Sequence, residues 1–226
     1  MAGSLLEWLA MLGATPPASP RAETPAPAVS PPDEAIPFYP TEKYLARNWA
    51  PDTGLLHAHI RDIAAASRLA EERGVLTPEL AQHMLPIAMV ENRGRGMGVF
   101  QGEKNALYAS QRVRKKISDM GLDLDKDFVS YWKKGDRMLM PGDLSDELLP
   151  RFSAIWLSEK ARNAKSLEEA TKLYNGKGRA LEDLGHGEVQ QADTGVYWGK
   201  IQEAVKMLKH PANEGLASAW NRYRKP

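Results

Sequence analysis

The chain of 226 residues is long enough for one sizeable domain plus appendages, and its 26% charged and 42% apolar residues are ordinary for a globular protein. With Lys+Arg 30 against Asp+Glu 29, no global field recruits nucleic acid or an acidic membrane, so a nucleic-acid-binding role is disfavoured. The absence of cysteine excludes disulfides, thiolate metal sites and a cysteine nucleophile, and no run approaches the roughly 20 apolar residues of a transmembrane segment.

Residues 1–14, MAGSLLEWLAMLGA, lack the Lys or Arg of a secretory n-region, and Glu7 interrupts their apolar run. Leu5, Trp8, Leu9 and Leu12 instead recur at i, i+3, i+4 and i+7, the mark of a one-faced amphipathic helix. So short a helix is marginal alone and gains stability by docking, here on a subunit of a larger assembly. Residues 15–40 hold nine of the 16 prolines and read as an extended, semi-rigid linker. The folded domain is expected over residues 41–226.

The domain reads as mainly α. Residues 55–73 have helical spacing and stop at Gly74. Thr77 and Pro78 open a helix toward Asn92 as N-cap and first helical residue, and Pro86 inside it should bend it. Further helices are expected at 103–120, 145–163, 167–174, where Ser166 and Glu169 have capping-box spacing, and 194–209. Strand signals are confined to about 97–101 and 128–132, at most a minor β-hairpin.

Leu80, Met84, Ile87 and Glu91 are spaced 4, 3 and 4 and so share one helix face. Three are apolar; the fourth is a carboxylate at the helix C-terminal end. Desolvation and the negative end of the helix dipole there both favour the protonated form. A carboxyl group that keeps its proton near neutral pH can act as general acid on a glycosidic bond. The alternative is a Glu91 that swings out to pair with Arg93 or Arg95. Gly94, Gly96 and Gly98 then allow sharp turns and close approach to a ligand, but no strand precedes them and no Lys-Ser/Thr follows, so phosphate binding is not expected.

Other signals carry less. Asp123, Asp125 and Asp127 begin like a calcium loop, yet Phe128 stands at the required Gly and Lys134 at the bidentate Glu. His57 and His59 point to different helix faces. Arg112, Arg114, Lys115 and Lys116 read as a solvated helix face.

Taken together, the blocks after Glu91 resemble those of lytic transglycosylases and goose-type lysozymes, which cut peptidoglycan. Gly98-Val99-Phe100-Gln101 stands where that family has Gly-Leu-Met-Gln, Tyr174-Asn175-Gly176 where it has a Tyr-Asn-Gly block, and Tyr197 at the final tyrosine before a helix; Asn92 replaces the usual Ser after the acid. The resemblance spans about residues 77–210 and is closest to transglycosylase-type proteins of bacteriophage particles. It implies a lysozyme-like helical domain, Glu91 as the catalytic acid, and Gln101, Tyr174, Asn175 and Tyr197 as substrate-binding residues. It implies neither cofactor nor metal, peptidoglycan glycan strands as substrate, and a virion protein acting in the host periplasm or cell wall.

Overall fold

The computed structural model describes residues 35–36, 55–92, 105–174 and 194–225. The chain divides into Met1–Ser30 and Pro31–Pro226, and every described residue belongs to the second unit. The described residues are mostly helical, with a small antiparallel sheet of three strands.

Helix α1 (His57–Glu72) buries Ile60, Ile63, Ala64, Ser67 and Ala70 along one side. Its three- and four-residue spacing is what makes that side continuous. Gly74, at φ 64°, takes the left-handed turn that ends the helix, and the Val75 amide returns to the Ala70 carbonyl at 2.8 Å. Thr77 then caps α2 (Pro78–Gln82), its hydroxyl accepting from the Leu80 amide at 3.3 Å.

The single helix expected over 77–92 is in fact two, α2 and α3 (Met84–Asn92), parted at His83. The cause is Pro86. It has no N–H for the Gln82 carbonyl and its ring crowds that carbonyl, so the ladder is interrupted four residues upstream rather than bent at the proline. The ladder resumes with the Ile87 amide on the His83 carbonyl at 3.0 Å. In α3 no more than 1% of Met84, Leu85, Ile87, Ala88 or Met89 is exposed. The helix is therefore buried all round, not along the single face of Met84, Ile87 and Glu91.

A helix was expected over 103–120, but α4 (Gln111–Asp119) begins only after Ser110, whose hydroxyl accepts from the Val113 amide at 3.3 Å. Upstream, β3 (Leu107–Tyr108) is drawn into the sheet instead. That sheet has the order β3–β5–β4, all antiparallel, with β4 (Phe128–Lys133) joined to β5 (Asp136–Pro141) by a two-residue hairpin turn. Both turn residues have positive φ, Lys134 at 54° and Gly135 at 84°, which matches the right-handed twist of the strands. One face covers the core, where Phe128 meets Phe152 edge-on at 6.0 Å between ring centroids. The strand expected at 97–101 lies outside the described residues.

Helix α5 (Leu149–Ala161) is shorter than its expected span, whereas α6 (Leu167–Tyr174) and α7 (Thr194–Lys209) have the expected bounds. Ser166 caps α6 by accepting from the Glu169 amide at 3.1 Å, and the Glu169 carboxylate accepts from the Lys165 amide at 2.7 Å. A further helix, α8 (Glu214–Arg224), was not expected. It lays Leu216, Ala219 and Trp220 into the core beside α1, and ties back through Tyr223 to His57 at 2.9 Å and Arg224 to Glu71 at 2.5 Å.

Near the start of the described residues, β1 (Ala35–Ile36) pairs antiparallel with β2 (Leu55–Leu56). Ile36 is only 7% exposed and belongs to the core. The packed domain thus reaches back into the 15–40 stretch read as linker. The remainder of that stretch, and residues 1–14, lie outside the described residues.

Candidate active site

Glu91 stands in the last turn of α3, and α3 packs along α7. Tyr197, in the first turn of α7, is 6% exposed and donates its phenolic O–H to Glu91 Oε1 at 2.6 Å, across 106 residues of sequence. Tyr174 closes α6, which packs on α7 and on α5; its ring is 7% exposed and lies in the field of the Glu91 carboxylate and of the Ser153 hydroxyl from α5. Helices α6 and α7 thus bring two phenols to the carboxyl group that α3 carries, and α5 supports one of them through Ser153.

Burial raises the pKa of Glu91 above the ordinary 4.5, and the Tyr197 hydrogen bond and the positive charge of Lys200 only partly oppose it. Lys200 lies one helical turn beyond Tyr197, on the same side of α7. The two phenols shift upward, first because they are buried and next because ionising them would set a second negative charge beside Glu91. Both remain hydrogen-bond donors throughout the physiological range. Glu91 is thereby a carboxyl group able to hold a proton, oriented by a phenol that never competes for it.

The other carboxylates differ. Glu159 on α5 accepts from Arg112 Nε at 3.0 Å and Nη2 at 2.6 Å, and from Lys116 Nζ at 2.8 Å. Its partial burial works to raise the pKa, but these cationic donors outweigh it and hold the group at about 2. The basic run on α4 is accordingly not simply a solvated face: Arg112 and Lys116 clamp α5, and Lys115 pairs with Asp119 at 2.6 Å. Asp136 and Asp143 are exposed. Asp62 on α1 is raised by burial, opposed by its 3.2 Å pairing with Arg61, and sits in an open pocket of about 260 Å³ lined by Arg61, Asp62, Ala65, Glu147 and Arg151.

Of the sequence-derived site residues, Glu91, Tyr174 and Tyr197 come together. Gln101, Asn175 and the glycine-rich loop after Glu91 lie outside the described residues. Both tyrosine rings are buried rather than open to solvent. What they contribute is the phenolic oxygen. Lys200 and Ser153 were not anticipated, although the position of Lys200 one turn after Tyr197 was visible in the spacing.

Among the described residues no three His, Asp or Glu side chains are placed to hold a metal ion. Asp123 instead caps its own loop, accepting from the amides of Asp125 at 2.9 Å and Lys126 at 3.1 Å. His57 turns toward Tyr223, while His59 is buried in the core with its Nδ1 unpaired. No described helix is long and apolar enough to cross a membrane. Comparison of the chain with family models, curated proteins and solved structures finds no match.

Proposed function

We propose that this chain is a peptidoglycan lytic transglycosylase on a lysozyme-like helical domain, cleaving the β-1,4 bond between N-acetylmuramic acid and N-acetylglucosamine. The observation that carries this reading is the 2.6 Å hydrogen bond from Tyr197 to Glu91. The motif order sets the catalytic acid first and the final tyrosine last, and these two residues meet although three described helices, α4 to α6, lie between them in the sequence. A chance match of short blocks gives no reason for such a meeting.

In this mechanism Glu91 protonates the departing glycosidic oxygen. Because Oε1 accepts from Tyr197, the acidic proton is favoured on the other oxygen. The substrate's own acetamido group meets the charge that develops at the sugar. Glu91, now a carboxylate stabilised by the Tyr197 donor, takes the proton from the C6 hydroxyl, and that oxygen closes a 1,6-anhydro ring. One carboxyl group serves both steps, so the two-carboxylate arrangement of other glycosidases is not needed. Glu159 is unsuited to either step: its cation clamp keeps it ionised, so it has no proton to give, and at about 2 it is too weak a base to take one.

We place the enzyme on a bacteriophage particle, docked through residues 1–14 and acting on the host wall during entry. The test is digestion of purified peptidoglycan with mass analysis of the products. Anhydro products support the reading; products heavier by one water identify a hydrolysing muramidase; intact glycan identifies a structural virion protein. Removing residues 1–30 should abolish incorporation into the particle and leave digestion intact.

A further inference from the structure

Among the described residues the three-stranded sheet ends in an edge that no further strand pairs. Among the described residues β4 has only β5 as a neighbour, and Val129 is 60% and Trp132 72% exposed. A six-residue edge strand bearing exposed apolar side chains is a template for a further strand.

The hairpin fixes which backbone groups are on offer. Lys133 and Asp136 flank the two-residue turn, so they exchange hydrogen bonds with each other, as do Tyr131 with Met138 and Val129 with Met140. The amides and carbonyls of Phe128, Ser130 and Trp132 therefore point outward. Pro141 opposite Phe128 agrees with this phase, because a proline has no N–H to give.

We propose that β4 pairs antiparallel with β4 of a second copy of this chain about a two-fold axis, with Ser130 opposite Ser130. A two-fold axis normal to the sheet keeps each face continuous, so only registers centred on a residue are allowed. Centring on Ser130 sets the outward-pointing groups of Phe128, Ser130 and Trp132 against one another. The same register brings every side chain to a complementary partner. Phe128 meets Trp132, Val129 meets Tyr131, and Asp127 meets Lys133, each twice; such aromatic, aromatic–aliphatic and opposite-charge pairs are those that stabilise antiparallel strands. Centring on Tyr131 instead sets Val129 against Lys133, and centring on Val129 sets Asp127 against Tyr131. Asp127, one residue before β4, spends Oδ2 on the Asp123 amide at 2.8 Å and has its second oxygen for Lys133; that charge complementarity belongs to one register only, and it identifies the occupant as the strand itself.

The surface is independent of the cleavage site and of its assignment. Its area is small, so association is weak and concentration-dependent. The experiment uses the full chain, which has no cysteine of its own. In Ser130→Cys the two sulfurs face each other across a hydrogen-bonded pair with Cα atoms about 5.5 Å apart, within disulfide range. Under mild oxidation Ser130→Cys should form a covalent dimer at least about tenfold faster than Val129→Cys at equal concentration, because Val129 faces Tyr131. Sedimentation from about 10 μM to about 1 mM should show a reversible dimer in the parent chain. That dimer should be lost in Lys133→Asp, which sets like charges across the pair, and in Ser130→Pro, whose missing N–H points outward so that the edge strand itself survives. A chain that stays monomeric throughout overturns the proposal and leaves the edge to a different partner. So does equal crosslinking of the two cysteine variants, or a dimer that persists in Lys133→Asp.

Discussion

Glu91 and Glu159 are both partly buried glutamates on core helices, and they are driven in opposite directions. Among the described residues Glu91 meets the Tyr197 phenol and the charge of Lys200, and burial outweighs both. Glu159 meets a guanidinium and an ammonium at hydrogen-bond distance, and the cations win. Burial alone therefore does not make a proton donor; the charge of the partner decides. A neutral donor such as Tyr197 orients a carboxyl group without fixing it in the ionised form, and that is the property a group needs if it must both give and take a proton.

The largest test of this contrast is Glu91→Gln. It should fold, bind Tyr197 through its amide carbonyl, and lose about 10²–10⁴-fold in peptidoglycan digestion, whereas Glu159→Gln should digest at close to the parent rate. Equal activity of both variants on a zymogram would break the comparison. Next comes Tyr197→Phe, expected to lower the rate by roughly tenfold or more, because the carboxyl group loses its orientation. It should also move the alkaline limb of the pH–activity profile upward, since the hydrogen bond that favours the carboxylate is gone. An unmoved limb would mean that Tyr197 serves packing only.

Stability should separate the pair by sign. Glu159 has a folded pKa of about 2 against an ordinary 4.5, so its contribution is present above 4.5 and is lost as pH falls toward 2. Glu159→Gln should cost on the order of 1–2 kcal/mol at neutral pH, less than the shift alone implies because Arg112 remains 45% exposed, and the gap should close in acid. Glu91 is the reverse: with the folded pKa raised, its stabilising contribution is present below 4.5 and is lost as pH rises through the folded value. The parent should therefore lose ground to Glu91→Gln on the alkaline side in urea titrations. The smallest effect is expected from Lys200→Met, which removes the positive charge that opposes burial less than the Tyr197 hydrogen bond does, and so should raise the alkaline limb less than Tyr197→Phe does.

Much of this was legible in the residues. Thr77-Pro78, Ser166 with Glu169, and Gly74 are chemical punctuation, and the helix ends they mark are where the spacing put them. Glu91 was legible as a misplaced charge in an apolar run. The errors have physical causes too. Leu107 favours helix and Tyr108 strand, so local propensity is divided, and pairing with β5 decided their state. β5 carries no familiar hairpin signature in the sequence, because Lys134 is an unusual residue for a left-handed turn position. For α8 the signal was present and unread: Leu216, Ala219, Trp220 and Tyr223 fall at i, i+3, i+4 and i+7. The meeting of Tyr197 with Glu91 was legible only through the family resemblance, since nothing local specifies a contact 106 residues away.

The docking of α8 on α1 has a consequence for how the protein comes into being. His57 waits for Tyr223 across 166 residues, and Glu71 waits for Arg224 across 153. At translation speeds of roughly 5–20 residues per second, the apolar side of α1 lacks part of its cover for roughly eight to thirty seconds on the ribosome. During that time the early helices are open to aggregation. Such long-range closure also slows refolding relative to a bundle with only neighbouring contacts. A truncation that removes α8 would strip α1 of the helix that packs along it, and the nascent chain would then depend on holding chaperones for as long as it lasted.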